Sequence, residues 1–125
     1  MTATAAQTAD QLFTALEAGD LAAVGALWSD DVVVWRLGGG RERDKARALK
    51  VIEWFLGATS HRRYEVLDRR IFDGGFVQQH LLHATANIGT PLSFRACLVV
   101  QVGPDGLITR IDEYLDPADL APLSA

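Results

Sequence analysis

Apolar positions recur at two spacings along this chain, and the change from one to the other falls near its middle. Leu12, Phe13 and Leu16 form a stripe at helical spacing, the mark of a helix that turns one face inward. Thr4 with Gln7 and Thr8 with Gln11 both have capping-box spacing ahead of that stripe, in which each partner satisfies the other's backbone N–H. Gly19 stops this helix, and Asp20 can cap the next, which runs over LAAVGALW to Trp28. The β-branched run in DDVVVWRL predicts a short strand, ended by Gly38, Gly39 and Gly40. Leu49, Ile52, Phe55 and Leu56 return to helical spacing and predict a third helix from about Asp44 to Phe55.

Beyond it the period drops to two. YEVLDRRIF ends at Asp73-Gly74-Gly75, a hairpin signal; FVQQHLLHATA ends at NIGTP; LSFRACLVVQV ends at Gly103-Pro104-Asp105-Gly106, a second hairpin signal. LITRIDEYLD closes at Asp116-Pro117, where Asp116 can cap and Pro117 can open a final helical turn. Helices first and an antiparallel meander afterwards predict one α+β domain over residues 1–125. A sheet of such long strands with only three helices to cover it should curl around them and leave a conical pocket, a common ligand site.

Strand alternation sorts the side chains by face. Phe76, Gln78, His80, Leu82 and Ala84 share one side of their strand, and Val77, Gln79, Leu81, His83 and Thr85 the other. Phe94, Ala96, Leu98 and Val100 form a wholly apolar face. On the last strand Glu113 falls in with Leu107, Thr109, Ile111 and Leu115, and Asp112 with Ile108, Arg110 and Tyr114. The first set is the apolar one, so a carboxylate is expected to point inward.

Composition narrows the partners. The chain has 125 residues, is 49% hydrophobic and 22% charged, and carries a net charge of −4. That balance is ordinary for a globular domain and argues against nucleic acid or an anionic membrane as a partner. No apolar run nears the roughly 20 residues that span a bilayer. MTATAAQTADQ lacks the basic start of a signal peptide, so a cytoplasmic location is expected. The lone Cys97, inside ACLVV, reads as a small buried hydrophobe and rules out a cysteine zinc site. His80 and His83 are three apart on a strand and face opposite ways, so HLLH is a poor metal pair. GGGRERDK lacks the ending of a phosphate loop. No metal and no cofactor is signalled.

The order helix, helix, strand, helix, four strands resembles the nuclear-transport-factor-2-like cone. DGLITRIDEYLDPA, GFVQQH and LFTALEAGDLAAVGALWSDDVVVW resemble its SnoaL-like branch, over nearly the whole chain. The resemblance implies a strongly bent sheet around a conical pocket, and a homodimer through the convex sheet face. Relatives implied by it include ketosteroid isomerase, limonene-epoxide hydrolase and polyketide cyclases, together with binding and assembly domains that do no chemistry. The hydrolases' Arg-x-Asp pair on the second meander strand is met here by QQHLLH, and their Tyr-x-Asn by Trp35-Arg36-Leu37. The isomerase's base, soon after its first strand, is met by Leu37 and glycines.

Within that frame Glu113 and His80 are the catalytic candidates. An inward carboxylate loses hydration, which raises its pKa and suits it to proton transfer. Its structural alternatives are a carboxylate satisfied by a buried hydrogen bond or an Arg partner, or a face assignment inverted by a bulge. Either histidine could face the pocket; the resemblance favours His80, because SnoaL-like chains often carry Gln-His there. Trp35, beside the glycine-rich exit of its strand, is expected at the pocket mouth, and Leu37, Phe55, Gln78 and Leu98 complete the expected substrate-binding wall. Asp112 is expected to pair with a cross-strand Arg such as Arg95 or to lie on a dimer surface, and His61 lies in a loop.

The reading that results is a cofactor-independent enzyme for a small apolar organic ligand. Glu113 and His80, facing each other across the cavity, would drive isomerisation, dehydration or aldol-type cyclisation of a carbonyl or ring compound. The alternatives are a non-catalytic ligand-binding or dimerising assembly domain, and epoxide hydrolysis by a rearranged set of residues.

Overall fold

The computed structural model describes residues 2–124. Helices α1 (Ala5–Ala18) and α2 (Leu21–Ala26) lead into strand β1 (Trp28–Arg36), and α3 (Lys45–Ala58) follows. Strands β2 (Thr59–Phe72), β3 (Gly75–Ala86), β4 (Pro91–Val102) and β5 (Ile108–Leu115) complete a five-stranded sheet, and a 3-10 turn over Pro117–Ser124 ends the chain. The order across the sheet is β1-β5-β4-β3-β2. The β1–β5 pair is parallel and the other neighbours are antiparallel. This is the α+β class expected from the sequence, with a curved, unclosed sheet.

Local chemistry sets the helix ends. Of the two capping boxes, Thr4 with Gln7 is the one that forms. Thr8 instead lies buried within α1, and its hydroxyl donates to the Gly106 carbonyl at 3.0 Å. Gly19 adopts the left-handed φ of 72° that closes α1, and Asp20 accepts from the Ala23 N–H. α3 runs three residues beyond the expected Phe55, to Ala58. There Arg62 donates to the carbonyls of Leu16, Leu56 and Thr59, joining the last turns of α1 and α3. Gly38, at φ 80°, lets the chain turn after β1 where a Cβ would lie 2.5 Å from Pro117 Cγ. The C-terminal turn is thereby laid against the exit of β1.

The core lies between the helices and the concave face of the sheet. Leu12, Phe13 and Leu16 of α1, Val24 of α2, and Phe76, Phe94, Leu98 and Ile111 of the sheet are all buried there. Each such side chain contributes about 1.5–3 kcal/mol on burial. β3 and β4 alternate without interruption, as expected. β5 does not. Arg110 pairs with Gln101 and Ile108 with Val102, which leaves Thr109 as an extra residue. A bulge of this kind reverses the facing of everything on one side of it. Ile108 is therefore fully buried, not outward with Arg110 as simple alternation placed it. Ile111, Glu113 and Leu115 keep their inward facing. Among the described residues no helix is long and apolar enough to cross a membrane.

Candidate active site

The concave face and the helices enclose a cavity with about 90 Å³ available to the centres of water-sized molecules. By that measure one water needs roughly 10–15 Å³, so the space takes several waters or a small organic molecule. Most of the wall is apolar: Leu12, Leu16, Phe55, Leu82, Phe94 and Leu98 are among its residues. The polar exceptions come from four strands and one loop. They include Trp28 and Arg36 of β1, Tyr64 of β2, His80 of β3, Glu113 of β5, and Arg43.

Glu113 reaches the cavity beside Arg36. The Arg36 Nε–H donates to Glu113 Oε1 at 2.7 Å, with the two side chains 23% and 21% exposed. The register makes them neighbours, since Arg36 lies opposite Glu113 where β1 and β5 run parallel. Of the two surroundings anticipated for this acid, an apolar wall or an Arg partner, the second is present, and Arg36 supplies it. Oε2 and the terminal nitrogens of Arg36 make no hydrogen bond among the described residues. Arg43 joins the wall because its backbone exchanges two hydrogen bonds with Val34, which covers the open edge of β1.

His80 is 1% exposed, and burial pushes its imidazole down to about 4. Its ring meets Tyr64 edge-on at 5.0 Å and Phe13 at 5.5 Å between centroids. Its Nδ1 lies 2.9 Å from Gln78 Nε2. Gln78 Oε1 in turn accepts from Arg69 Nε at 2.8 Å, and Arg69 is anchored to Asp10 at 2.7 Å. Burial, and then the negative charge of Glu113, push the Tyr64 phenol well above its usual range, so it stays protonated. The Trp28 indole N–H is buried without a hydrogen-bond partner among the described residues. Such a donor costs about 1–3 kcal/mol until something accepts from it.

Of the residues expected at the site, Glu113, His80, Phe55 and Leu98 line the cavity. Glu113 and His80 sit on strands separated by β4 and two residues out of register, so they approach the space from one curved wall with backbones roughly 12 Å apart. Gln78 faces inward but stands behind His80, outside the cavity lining. Trp35 is not at the mouth. Alternation that turns Val34 and Arg36 inward turns Trp35 outward, where its ring packs on Tyr114 at 5.4 Å. Leu37 lies past the strand end, 44% exposed and off the cavity wall. His83 points outward to Ser93 and Glu65, and His61 is exposed. Asp112 pairs with Arg110 of its own strand rather than with Arg95, which binds Gln79.

Arg36, Tyr64 and Arg43 of the wall were not singled out in the sequence. Arg36 was within reach of the alternation Val32, Val34, Arg36. Tyr64 was not, for its facing depends on a second bulge. Ile71 pairs with Phe76 and Asp68 with Gln79, but Val66 pairs with His80, which leaves Leu67 extra. Without that extra residue Tyr64 would face outward. Arg43 is brought to the wall by an isolated bridge with no sequence signature.

Solved structures share this architecture. An LEH-like epoxide hydrolase from M. tuberculosis is 21% identical, with 96% of this chain and 89% of that one covered and a TM-score of 0.78. IdmH from Streptomyces antibioticus, proposed to be a polyketide cyclase, is 21% identical over 98% of this chain and all of its own, with a TM-score of 0.82. A protein of ketosteroid isomerase-like fold from Catenulispora acidiphila, in complex with trimethylamine, is 11% identical over 97% and 95% of the two chains, at 0.80. No curated protein sequence matches the chain. Identity at this level establishes the fold and leaves the chemistry to the site. The sequence profile of the SnoaL-like domain matches residues 9–111, from α1 into β5 and stopping two residues short of Glu113, and the chain belongs to that SnoaL-like family.

Proposed function

We propose that the cavity is the active site of a cofactor-independent enzyme that moves a proton on a small, mostly apolar carbonyl compound. Glu113 Oε2 takes a proton from the carbon beside the carbonyl. The oxygen, which gains negative charge as that C–H bond breaks, is held by neutral donors, the Tyr64 hydroxyl and the His80 imidazole. Returned to a different carbon, the same proton completes an isomerisation. Alternatively, loss of a β-hydroxyl with a proton releases water, or the new carbon nucleophile attacks a second carbonyl in an aldol-type closure.

The observation that carries this reading is the division of the wall: one carboxylate with an uncommitted oxygen on β5, and two neutral donors on β2 and β3, in a space that is mostly apolar apart from Trp28, Arg36 and Arg43. A neutral donor suits an oxygen that becomes an anion, because it can stabilise the charge without having been ionised beforehand. The test is a thermal-shift screen with small cyclic enones, hydroxyketones and diketones, followed by turnover of the hits. Glu113→Gln should keep binding within about threefold and lose turnover by about 10²–10⁴-fold, the range for general base catalysis. Hits that turn over equally in both proteins would end this reading.

A second reading, a ligand-binding domain without chemistry, is favoured by the Arg36–Glu113 pair, which gives the acid a structural partner. Binding hits with no turnover by the wild-type protein would select it. We also propose a homodimer through the convex face, where Val77, Leu81, Cys97 and Val99 are only half-buried. Val99→Arg would then give monomers in analytical ultracentrifugation, and an unchanged sedimentation coefficient would exclude that face.

A further inference from the structure

We infer that Arg69 and Gln78 are positioning residues that hold His80 in one tautomer, with its proton on Nε2, so that it meets a ligand as a hydrogen-bond donor to an acceptor oxygen. Which nitrogen carries the proton follows from the chain of partners. A guanidinium has donors and no acceptor. The Gln78 atom 2.8 Å from Arg69 Nε is therefore the carbonyl oxygen, and this fixes which way the amide lies. The amide nitrogen is then the atom 2.9 Å from His80 Nδ1. It too can only donate, so Nδ1 must be a bare acceptor. A neutral imidazole has one N–H, and that proton is left on Nε2. Among the described residues Nε2 has no protein partner, and His80 lines the cavity.

Each link is itself held. Arg69 is anchored by Asp10 at 2.7 Å, and its guanidinium carbon lies 5.9 Å from the centre of the Phe13 ring. Gln78 is fully buried, so water cannot compete for its amide. Phe13 and Tyr64 flank the imidazole edge-on. The arrangement also decides what His80 does not do. To act as a base it would need a bare nitrogen toward the ligand, and the bare nitrogen points at Gln78. Base chemistry is left to Glu113, and a ligand with no acceptor oxygen leaves the Nε2–H unmatched. The site therefore discriminates between a ketone and a hydrocarbon of the same shape. That last step rests on the function proposed above, whereas the tautomer does not.

Both parts are read by nitrogen NMR on histidine-labelled protein at neutral pH. Long-range correlations from the two ring C–H protons identify each nitrogen, and a bare nitrogen resonates far downfield of a protonated one. In the wild type His80 should show a bare Nδ1 and a protonated Nε2, with no exchange between tautomers. In Gln78→Glu the carboxylate accepts from both neighbours, so the proton should move to Nδ1. Arg69→Met, which frees the amide to turn over, should show both tautomers. Cyclohexanone should shift the wild-type Nε2–H signal while cyclohexane leaves it in place, and the preference for the ketone should fall about tenfold in Gln78→Glu. A wild-type spectrum with Nδ1–H, or a mixture, overturns the relay without any variant having to fold. The assigned tautomer with no cyclohexanone shift at Nε2 overturns the ligand contact alone and leaves the relay standing.

Discussion

The two faces of the sheet solve the same problem in different ways. Asp112 and Glu113 are adjacent on β5, and each has an arginine partner. On the outer face both Asp112 oxygens are occupied, Oδ2 by Arg110 Nε at 2.9 Å and Oδ1 by Arg110 Nη2 at 3.0 Å. The remaining Arg110 terminal nitrogen goes to Glu42. These bonds push the Arg110 guanidinium still further up and leave no acceptor on Asp112 uncommitted. On the inner face one Arg36 nitrogen meets one Glu113 oxygen, and the rest of both groups faces the cavity. The histidines repeat the contrast. His83, outside, is bonded through both nitrogens, while His80, inside, has one nitrogen wired to Gln78 and the other toward the lumen. A closed pair is structure. An open pair inside an apolar wall is a site.

Acid titration should break the contrast most strongly. Unfolded, the His80 imidazole takes a proton near its ordinary 6.5; folded, it does so only near 4. Between those values the unfolded chain binds more protons, so its stability contribution is full above pH 6.5 and is lost as pH falls toward 4. The loss is on the order of 3 kcal/mol. Two groups face this imidazole, the protonated Tyr64 and, through Gln78, the permanently charged Arg69; neither titrates in that window. His80→Asn keeps an acceptor for Gln78 but cannot take a proton. The difference between wild-type and His80→Asn urea midpoints should therefore be constant above about pH 6.5 and shrink from there to pH 4. Parallel curves would mean that the imidazole is not held neutral.

Arg36→Met comes next in size. It removes one charge-assisted bond, leaves Glu113 half-buried with no partner, and should cost about 1–3 kcal/mol in chemical denaturation. For a ligand whose oxygen sits between the carboxylate and the guanidinium, affinity should fall about tenfold. Arg110→Met on the outer face should leave ligand affinity alone. Equal losses in both variants would mean that the two pairs differ only in position.

How much of this could be read beforehand depended on bulges. β3 and β4 pair without a slip, so counting by twos put Gln78 with His80 on one face of β3 and Phe94 with Leu98 on one face of β4, while the resemblance favoured the His80 side as the inner one. The same counting failed at Ile108, because Thr109 adds a residue. For Tyr64 the slip at Leu67 decides the face. Neither bulge has a glycine or proline at the extra residue to announce it, and both follow from how strands of a bent sheet meet. Glu113 was legible because it lies beyond the β5 bulge, where Ile111 and Leu115 keep alternation. Trp35 was misplaced because the glycine run after it suggested a pocket rim, whereas in the fold that run accommodates Pro117. Gln78 was rightly turned inward yet assigned to the ligand. Depth behind His80 is a property of packing, not of facing.

The smallest effect belongs to Asp112→Asn, and it tests the contrast from the outside. The amide keeps one acceptor for Arg110, and Arg110 retains Glu42, so only part of a bidentate pair is lost. Asp112 is little exposed, at 17% of its side chain, which places the cost above that of a fully solvated pair but still below about 1 kcal/mol. Turnover and ligand affinity should match the wild type, because nothing on this face reaches the cavity and the β5 backbone is held by β4 and β1 on either side. Urea midpoints and steady-state rates, measured together with those of Glu113→Gln, make the comparison direct: neighbouring acids, the same neutralisation, opposite faces. If Asp112→Asn lowered turnover as Glu113→Gln is expected to, the outer pair would be acting through the strand. Activity would then be a matter of how rigidly β5 is held rather than of which carboxylate looks inward.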